Sequence, residues 1–491
     1  MYGLVRAPEI DREGLTWFNV PRPLSLRDLR GRIVILDFWT YCCINCVQVL
    51  PTLRRIEEAF PREVAVIGIH SPKFAAERDP AAVACAIRRY DIRHPVAHDP
   101  YMTLWDEYAV RAWPTLVVIG PDGKVIGQLA GEPDPDLMVQ GIGDLIDNLG
   151  GICALVPGEL PLTLEAPAPG PLSFPGKVKP LPGAERRWAV ADGGHHRIVV
   201  CESDGRVLAR YGTGLPGMDD GPAERASFTS PQGLACTADA IYVADTGNHL
   251  VRRIDLHSGL VTTVAGLGFR GLPVCEGGGA DAVALASPWD LEIAGDTLFI
   301  ANAGTHQLLT LDLGTKRIAA LAGTGGENIH DGPARRALLA QPSGLALAPD
   351  GGALYFADSE TSAVRKVVLT GAQPEVRTLV GRGLFDFGLA DGCLAEARMQ
   401  HPLGVTVMPD GRIAVADSYN HAVRLIDEAA GTVETVKLGT LRCEGSACRR
   451  PLAEPAGIWA AGPDRLLVSD TNNHRVVEVD LKGRRLRPWL G

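Results

Sequence analysis

The sequence predicts a multi-domain chain in which an α/β domain is followed by an all-β propeller of six blades. Three observations support this prediction. The chain has 491 residues, more than one ordinary domain contains. Residues 1–155 alternate apolar strand segments with helical segments, a pattern typical of a sheet covered by helices on both faces. From about residue 171 onward a short polar turn recurs six times, as expected for a ring of similar blades.

The α/β domain is predicted from its apolar strands and the helices between them. The predicted strands lie at 33–39, 64–69, 115–119 and 124–129, with a short extended piece at 94–97, and the predicted helices lie at 46–60, 79–90 and 134–149. The strand at 64–69 is apolar throughout, which indicates burial on both faces. Pro121, Asp122 and Gly123 provide the turn of a hairpin between the last two strands. We place this domain at residues 1–155.

A proline-rich segment follows the α/β domain. Residues 157–182 contain eight prolines, a composition typical of a semi-rigid linker. We therefore assign residues 156–182 to a linker that leads into the propeller, and residues 171–491 to the propeller itself.

The second domain repeats a polar turn that follows an apolar strand. One copy reads Ala-Asp-Thr-Gly-Asn-His at residues 244–249. Its second position recurs with steps of 53, 57, 56, 59 and 53 residues, at Asp192, Asp245, Asn302, Asp358, Asp417 and Asp470. A proline marker, usually Pro-x-Gly, precedes the last five turns, and an Asp-Gly pair lies further upstream at 220–221, 331–332 and 391–392. Six such copies indicate six blades of four short strands.

These markers resemble NHL repeats, and the resemblance implies a six-bladed NHL propeller, usually an interaction platform for protein or RNA. We expect the Asp and His residues of the turns to cap turns and link blades rather than to bind metal or catalyse. We expect neither a metal nor a cofactor in this chain. Cys443 and Cys448 either close a small loop disulfide or form a free thiol pair on which the first domain acts.

The α/β domain carries a Cys-x-x-Cys pair, Cys43 and Cys46, where the strand at 33–39 gives way to a helix. A helix N-terminus favours thiolate over thiol. We therefore expect Cys43 to be the nucleophile that attacks a disulfide, and Cys46 to resolve the mixed disulfide. A zinc site would need a second cysteine pair at similar spacing, whereas Cys85 and Cys153 stand alone.

The surroundings of this pair resemble the active site of thioredoxins. Asp37 lies six residues before Cys43, Pro51 lies five residues after Cys46, and Trp113-Pro114-Thr115 stands where thioredoxins have a cis proline. Asp37 is expected to accept the proton of Cys46, and the alternative is a buried carboxylate without a catalytic role. The resemblance implies a thioredoxin-like domain, with substrate contacts from Trp39, Cys42, Trp113, Pro114 and Thr115.

Two features of the motif depart from thioredoxins. Ile44-Asn45 replaces Gly-Pro, and Cys42 replaces a tryptophan. Cys42 is either a third reactive thiol or a tolerated small residue. A peroxidase would need a proline four residues before a threonine and a cysteine three residues after it. Thr40 and Cys43 fit that pattern, but Leu36 occupies the proline position.

The order of the two domains and the motif at residues 42–46 together resemble the NHL repeat-containing protein 2 family over nearly the whole chain. Three functional hypotheses follow. The first is a thiol–disulfide oxidoreductase that is supplied by an upstream thiol reductant and docks a protein client through its propeller. The second is a non-catalytic scaffold that binds protein or RNA, and the third is a peroxiredoxin-like peroxidase.

Charge and hydropathy limit the kinds of partner and the cellular location that we expect. The net charge of −10 favours a protein partner over RNA, because general nucleic-acid binding depends on Lys and Arg. The N-terminus lacks the pattern of a secretory signal, and no apolar run reaches the roughly 18 residues that a bilayer span needs. We therefore expect a cytoplasmic protein without a membrane partner.

Overall fold

The computed structural model describes residues 5–151, 154–164, 166, 170–183, 187–438 and 452–491. The chain divides into two compact units, Met1–Pro167 and Ala168–Gly491. The first is an α/β unit and the second is a six-bladed all-β propeller, so the predicted fold class is confirmed. Within the described residues, no helix is both long enough and apolar enough to cross a membrane.

The α/β unit is built on a mixed six-stranded sheet. Its strands are β1 (Thr16–Phe18), β2 (Ile33–Trp39), β3 (Val64–His70), β4 (Val96–His98), β5 (Thr115–Ile119) and β6 (Val125–Ala130), in the order β1-β4-β3-β2-β5-β6. Its helices are α1 (Ile44–Ala59), α2 (Pro80–Arg89), α3 (Thr103–Glu107) and α4 (Pro135–Gly150), with a 3-10 turn at Ala75–Arg78. Strand β2 is parallel to β3 and antiparallel to β5. The sequence does not predict β1 and α3, because three and five residues are too few to show a periodic pattern.

The central strand β2 has a separate apolar core on each face. Ile33 and Ile35 pack with residues of α1 and α4, whereas Leu36 and Phe38 join the cluster on the opposite face. Side chains alternate between the two faces of a strand. Asp37 therefore projects to the face that α1 covers, near the start of that helix.

The predicted linker, residues 156–182, is divided between the two units. Its first part is hydrogen-bonded to the α/β unit. Val156 N–H donates to the Gly31 carbonyl at 2.7 Å, and Thr163 N–H donates to the Asn19 carbonyl at 2.8 Å. Its last part contains Pro175–Pro180, which is the innermost strand of the first blade. Prolines are tolerated here because they take the first and last positions of that strand.

Residues 170–183, 187–438 and 452–491 fold into six blades of four antiparallel strands each. The first three blades consist of Pro175–Pro180, Arg187–Asp192, Arg197–Glu202 and Val207–Tyr211; Gly233–Cys236, Ala240–Asp245, Leu250–Asp255 and Leu260–Ala265; and Pro288–Ala294, Thr297–Asn302, Gln307–Asp312 and Arg317–Ala322. The last three consist of Pro342–Leu347, Ala353–Asp358, Ala363–Val368 and Glu375–Val380; Gly404–Val407, Ile413–Asp417, Ala422–Asp427 and Thr432–Thr435; and Pro455–Gly462, Arg465–Asp470, Arg475–Asp480 and Arg485–Leu490. Two-residue strands extend the outer edges of blades two to five at Gly221–Pro222, Gly278–Gly279, Gly332–Pro333 and Gly392–Cys393.

The glycine of the Pro-x-Gly marker allows neighbouring inner strands to approach closely. A Cβ atom on Gly404 would lie 2.5 Å from the carbonyl oxygen of Ala456 in the next blade. A Cβ atom on Gly457, in the last blade, would collide with the carbonyl oxygen of Gly176 in the first blade. A side chain at either position would push two blades apart.

The last residue of each polar turn accepts a hydrogen bond from the backbone of the next blade. The ring nitrogen Nδ1 of His249 accepts from the backbone N–H of Ser287 at 2.9 Å, and Nδ1 of His474 closes the ring by accepting from Phe174 N–H at 3.1 Å. The acceptors in the six blades are His196, His249, His306, Ser362, His421 and His474. The histidines of the turns therefore have the inter-blade role expected of them.

A buried arginine explains the Asp-Gly marker. Arg252 is fully buried and donates to Asp245 of its turn at 3.0 Å and to Asp220 of the marker at 2.7 Å. The same arrangement recurs in two further blades, in the sets Asp358, Arg365 and Asp331, and Asp417, Arg424 and Asp391. The marker therefore supplies the second carboxylate that a buried guanidinium needs.

Candidate active site

Cys43 caps the N-terminus of α1. Strand β2 ends at Trp39, and α1 begins at Ile44 after a short turn. The Cys43 backbone is extended, and its Sγ accepts a hydrogen bond from the N–H of Cys46 at 3.4 Å. The first N–H groups of a helix have no partner inside the helix, and this end of the dipole is positive. The Cys43 sulfur therefore lies at the positive end of α1, and because this side chain is partly exposed, a molecule from solvent can reach it.

Cys46 and Asp37 lie buried behind Cys43. Both residues are 1 % exposed. Burial raises the pKa of Cys46 well above its ordinary value, and its hydrogen bond with Cys43 and the proximity of Asp37 add to the rise. Burial likewise raises the pKa of Asp37 to about 7, and nearby His94 partly offsets this rise. The structure thus brings together the three residues predicted to be catalytic.

The Asp37 carboxyl is unusual because it is buried without compensation. Neither of its oxygens has a hydrogen-bond partner among the described residues. A buried ionised carboxylate in this state is costly, so the group holds a proton at neutral pH more readily than an exposed aspartate does. A carboxyl that takes up and releases a proton near pH 7 suits the role of proton acceptor for Cys46.

Glu77 fixes the turn that leads to Cys43, and sequence reasoning missed it. Its buried carboxylate accepts from Thr40 Oγ1 at 2.7 Å and from the Cys42 N–H at 3.1 Å. It also accepts from the backbone N–H groups of Lys73 and Phe74, each at 2.8 Å. Glu77 is far from the motif in sequence, and the 3-10 turn that carries it has no periodic signal that could have identified it.

The residues predicted to contact a substrate differ in exposure. Trp39, Cys42 and Thr115 are buried, and Pro114 is also buried. Trp113 alone among these five residues has a partly exposed side chain. The four buried side chains therefore line the site from within, and of the five Trp113 is the one that a molecule from solvent can touch.

Trp113 and Pro114 are joined by a cis peptide bond, as the resemblance to thioredoxins implies. Trp113 Nε1 donates to the Ser71 carbonyl at 3.0 Å, and its ring packs against Trp105 with 4.4 Å between ring centroids. Thr115 Oγ1 donates to the Ala112 carbonyl at 2.7 Å. The indole of Trp113 is thus held at both its polar atom and its ring face.

Two buried histidines form a second polar group on the α1 face of the sheet. His70 and His98 place their Nδ1 atoms 3.1 Å apart, and His98 Nε2 lies 3.2 Å from the Arg78 carbonyl oxygen. Burial lowers the pKa of both rings. His98 Nε2–H donates to the carbonyl, so the Nδ1 of His98 is the acceptor and that of His70 the donor. The Tyr41 ring stacks on His70 at 5.4 Å between ring centroids, which supports the turn before Cys43.

The centre of the propeller holds two buried ion pairs. Lys177 lies 3.8 Å from Asp290, and Lys179 lies 2.9 Å from Glu292. Lys177 also donates to the carbonyls of Leu403 and Ala456, in blades five and six. Burial lowers the pKa of Lys177 to about 8, against the attraction of Asp290. Each ammonium group is paired with a carboxylate, and Lys177 also reaches carbonyls of two other blades, so this cluster joins blades across the ring.

The remaining propeller residues of interest are acidic, histidine and cysteine side chains. Across the part of the chain that the structure describes, no group of three or more His, Cys, Asp or Glu side chains is placed to hold a metal ion. Cys443 and Cys448 lie outside the described residues. Cys275, in the segment between blades two and three, and Cys393, in the two-residue strand at the outer edge of blade five, are exposed free thiols.

Two family models match the chain. A thioredoxin-like model matches residues 31–125, and an NHL repeat model matches residues 399–424. The first unit is therefore a thioredoxin-like domain, and the NHL character of the propeller is confirmed.

Known proteins resemble this chain over either its whole length or its first domain. NHL repeat-containing protein 2 of Bos taurus is 38 % identical over 96 % of this chain and 69 % of its own length. The protein SUPPRESSOR OF QUENCHING 1, chloroplastic, of Arabidopsis thaliana is 39 % identical over 95 % of this chain and 46 % of its own. Thiol-disulfide oxidoreductase ResA of Bacillus cereus is 29 % identical over 23 % of this chain and 62 % of its own. Part of the chain is thus homologous to thiol–disulfide oxidoreductases.

Proposed function

The chain belongs to the NHL repeat-containing protein 2 family, and on that basis we propose that it is a thiol–disulfide oxidoreductase acting on protein clients that its propeller docks. One observation carries the proposal. A partly exposed Cys43 caps helix α1, with buried Cys46 one turn behind it and the unpartnered carboxyl of Asp37 beneath. Nucleophile, resolving thiol and proton acceptor are therefore together at one point.

In the first step, the Cys43 thiolate attacks one sulfur of a client disulfide. A bond forms between Cys43 Sγ and that sulfur while the client disulfide breaks. The second client sulfur leaves as a thiolate and takes a proton from solvent. The positive end of α1 stabilises the attacking thiolate.

In the second step, Cys46 resolves the mixed disulfide. Cys46 gives its proton to Asp37, its sulfur attacks Cys43 Sγ, and the first client sulfur leaves as a thiolate that solvent protonates. The client has gained two electrons and two protons, and Cys43 and Cys46 have become a disulfide. An upstream dithiol reductant then returns the pair to its reduced form, by the same exchange in the opposite direction.

Exposed apolar side chains on the propeller support the docking role. Leu272 is 81 % exposed and Phe269 is 59 % exposed in the segment between blades two and three, and Phe385 is 75 % exposed between blades four and five. These side chains are therefore the contacts that we propose for a protein client. A protein client is favoured over RNA, because these side chains are uncharged and the chain is acidic overall. A cytoplasmic, reducing location is part of the proposal and rests on the scattered spacing of the cysteines.

A disulfide-reduction assay tests the catalytic part. The wild type should reduce a disulfide-bonded protein in a cycle with an added dithiol reductant, and Cys43→Ser should lose this activity. Cys85→Ser is the matched control, since Cys85 is a partly exposed thiol of the same domain on α2 and should leave the rate unchanged. Equal rates for the wild type and Cys43→Ser would establish the scaffold hypothesis instead, and Cys43-dependent peroxide consumption would establish the peroxidase.

A trapping experiment identifies the client. Cys46→Ser should leave mixed disulfides on Cys43, which mass spectrometry can identify. The double variant Phe269→Ser and Leu272→Ser should raise the KM for a trapped protein client and leave the rate with a small-molecule disulfide unchanged. An unchanged KM for the protein client would remove this part of the propeller from the proposal.

A further inference from the structure

Three buried polar groups face one small space above Gly68. In the parallel pairing of β2 with β3, Asp37 lies opposite Gly68, and neighbouring residues of a ladder project to the same face. A Cβ atom on Gly68 would lie 3.0 Å from Trp39 Nε1 and 3.4 Å from His94 Nε2. Within the described residues, the Asp37 oxygens, Trp39 Nε1 and His94 Nε2 have no hydrogen-bond partner. Unpartnered buried polar atoms are rare and call for a functional explanation.

His94 connects this space to the surface. Its side chain is 4 % exposed, and its Nδ1 lies 3.4 Å from Glu57 Oε2, on a residue whose side chain is 32 % exposed. His94 and Glu57 both line a surface pocket of about 220 Å³ beside α1. One ring nitrogen of His94 thus borders the space above Gly68 without a hydrogen bond to Asp37, and the other lies beside a carboxylate that meets solvent.

We propose that His94, oriented by Glu57, relays the proton of Cys46 from the buried Asp37 carboxyl to solvent. The inference rests on the proposed oxidoreductase function and extends it by one residue. His94 acts through Asp37 and does not touch the reacting sulfurs.

Glu57 determines which nitrogen of His94 can accept a proton. A carboxylate accepts hydrogen bonds, so it holds the ring in the tautomer with hydrogen on Nδ1. The bare Nε2 then faces the space above Gly68, on the side of Asp37. Asp37 and Nε2 share no hydrogen bond, so the proton passes from Asp37 to Nε2 through a water molecule that enters the space above Gly68. The ring then releases the Nδ1 proton to Glu57 and returns to its starting charge. A carboxylate that orients a histidine in this way is a common arrangement at reactive sites.

The surroundings leave few other routes for this proton. Asp37 is approached by Cys46 from α1 and by His94 from the segment before β4. The His70 and His98 pair on β3 and β4 engages its facing nitrogens with each other. The other ionisable groups that line the pocket on the solvent side of His94 are Arg54, Glu58, Tyr90, Asp91 and Arg93. Arg54 and Arg93 both pair with Asp91. Among the acids that line the pocket, Glu57 is the one with a contact to His94.

The main chain at His94 is anchored independently of its ring. Asn19 Nδ2 donates to the carbonyls of Ile92 and His94 at 2.8 and 2.9 Å, and Gly68 N–H donates to the Pro95 carbonyl at 2.9 Å. Removing the imidazole therefore leaves these contacts in place. It also opens a space that continues into the surface pocket, where a free imidazole molecule can enter.

The experiment measures how fast Cys46 resolves a mixed disulfide. The full chain is loaded on Cys43 with thionitrobenzoate, and the release of the coloured thiolate is followed after a rapid change of pH. His94→Ala should slow release about 100-fold at neutral pH, the lower end of what one acid–base group contributes. Added imidazole should restore the rate in a concentration-dependent way in this variant and leave the wild type unchanged. A merely structural role of His94 gives no such rescue.

Two acid variants provide the matched comparison. Glu57→Gln should slow release, whereas Glu58→Gln, which alters a residue of the same pocket without a contact to His94, should release at the wild-type rate. Wild-type release from His94→Ala, or slow release that imidazole does not change, would overturn the relay. A wild type that forms no mixed disulfide on Cys43, or never resolves it, would instead overturn the oxidoreductase proposal itself.

Discussion

Replacing Asp37 with asparagine should stabilise the thioredoxin-like domain at alkaline pH while it slows the chemistry. The carboxyl is buried, and neither oxygen has a partner among the residues described. Asparagine has nearly the same shape and never carries the charge. The stability gain and the loss of proton transfer therefore have one physical origin, the buried ionisable group.

The magnitude follows from the pKa of Asp37. Burial raises this pKa from 3.8 to about 7, and one unit corresponds to about 1.36 kcal/mol. In the unfolded chain the carboxyl ionises above about pH 4, whereas in the folded domain it stays protonated until about pH 7. The penalty on folding is thus absent below the unfolded pKa, grows between the two values, and reaches about 4 kcal/mol above pH 7.

Hydrogen exchange of the full chain measures this difference in the relevant segments. The free energy of opening should be compared for peptides from β2 and α1 in the wild type and in Asp37→Asn. The advantage of the variant should grow from about 1 kcal/mol near pH 4.5 to about 4 kcal/mol at pH 8. Asp136→Asn is the control, because Asp136 is an exposed carboxylate at the start of α4. An advantage that stays constant across this pH range would refute the argument.

Three further predictions concern other buried polar groups. Glu77→Gln should lower the stability of the domain by about 3 kcal/mol, because an amide nitrogen would face backbone donors. Cys42, which is buried in the wild type, should then become open to alkylation, as detected by mass spectrometry. A Cys42 that stays protected would contradict the role of Glu77 in holding the turn. Lys177→Met should cost about 3–5 kcal/mol of propeller stability in urea by leaving Asp290 without its cation, and adding Asp290→Asn should recover part of it, whereas additive losses would contradict the pairing. Burial lowers the pKa of His306 to about 4, so the stability it contributes is complete above about pH 6.5 and is lost as the pH falls through 4. His306→Ser, which copies the hydrogen bond that Ser362 makes to the next blade, should flatten the dependence of Tm on acid pH, and an unchanged slope would exclude His306 as a source.

The sequence predicts the parts of the thioredoxin-like site that are close together in the chain. Asp37, Cys43 and Cys46 fall within one strand–turn–helix segment, so their spacing alone predicts that they lie close together. Glu77 and His94 are different, because each meets the site only after the chain has crossed the sheet. Glu77 contacts Thr40 across 37 positions, and His94 contacts Glu57 across 37 positions. A single buried glutamate or histidine has no period and no partner visible in the sequence, so tertiary structure is needed to find it.

The propeller shows that internal repeats make some buried contacts predictable from a single sequence. An arginine seven residues after the turn acid occurs in blades two, four and five, as Arg252, Arg365 and Arg424, and these are the blades that have the Asp-Gly marker. The Asp-Gly marker and this arginine thus occur together or are both absent. A buried guanidinium without its carboxylates would destabilise the fold.

Blade three supports this interpretation by losing every charge of the set at once. Asn302 replaces the turn acid, Gly277 replaces the marker acid, and Leu309 stands in the arginine position. Gln307 fills the gap with neutral hydrogen bonds, donating to the carbonyls of Val274 and Gly323 at 3.0 and 3.2 Å. The six blades therefore act as an internal alignment, in which charges that change together reveal a buried contact. The thioredoxin-like domain has only one copy of its site, and for that reason the roles of Glu77 and His94 became visible only in three dimensions.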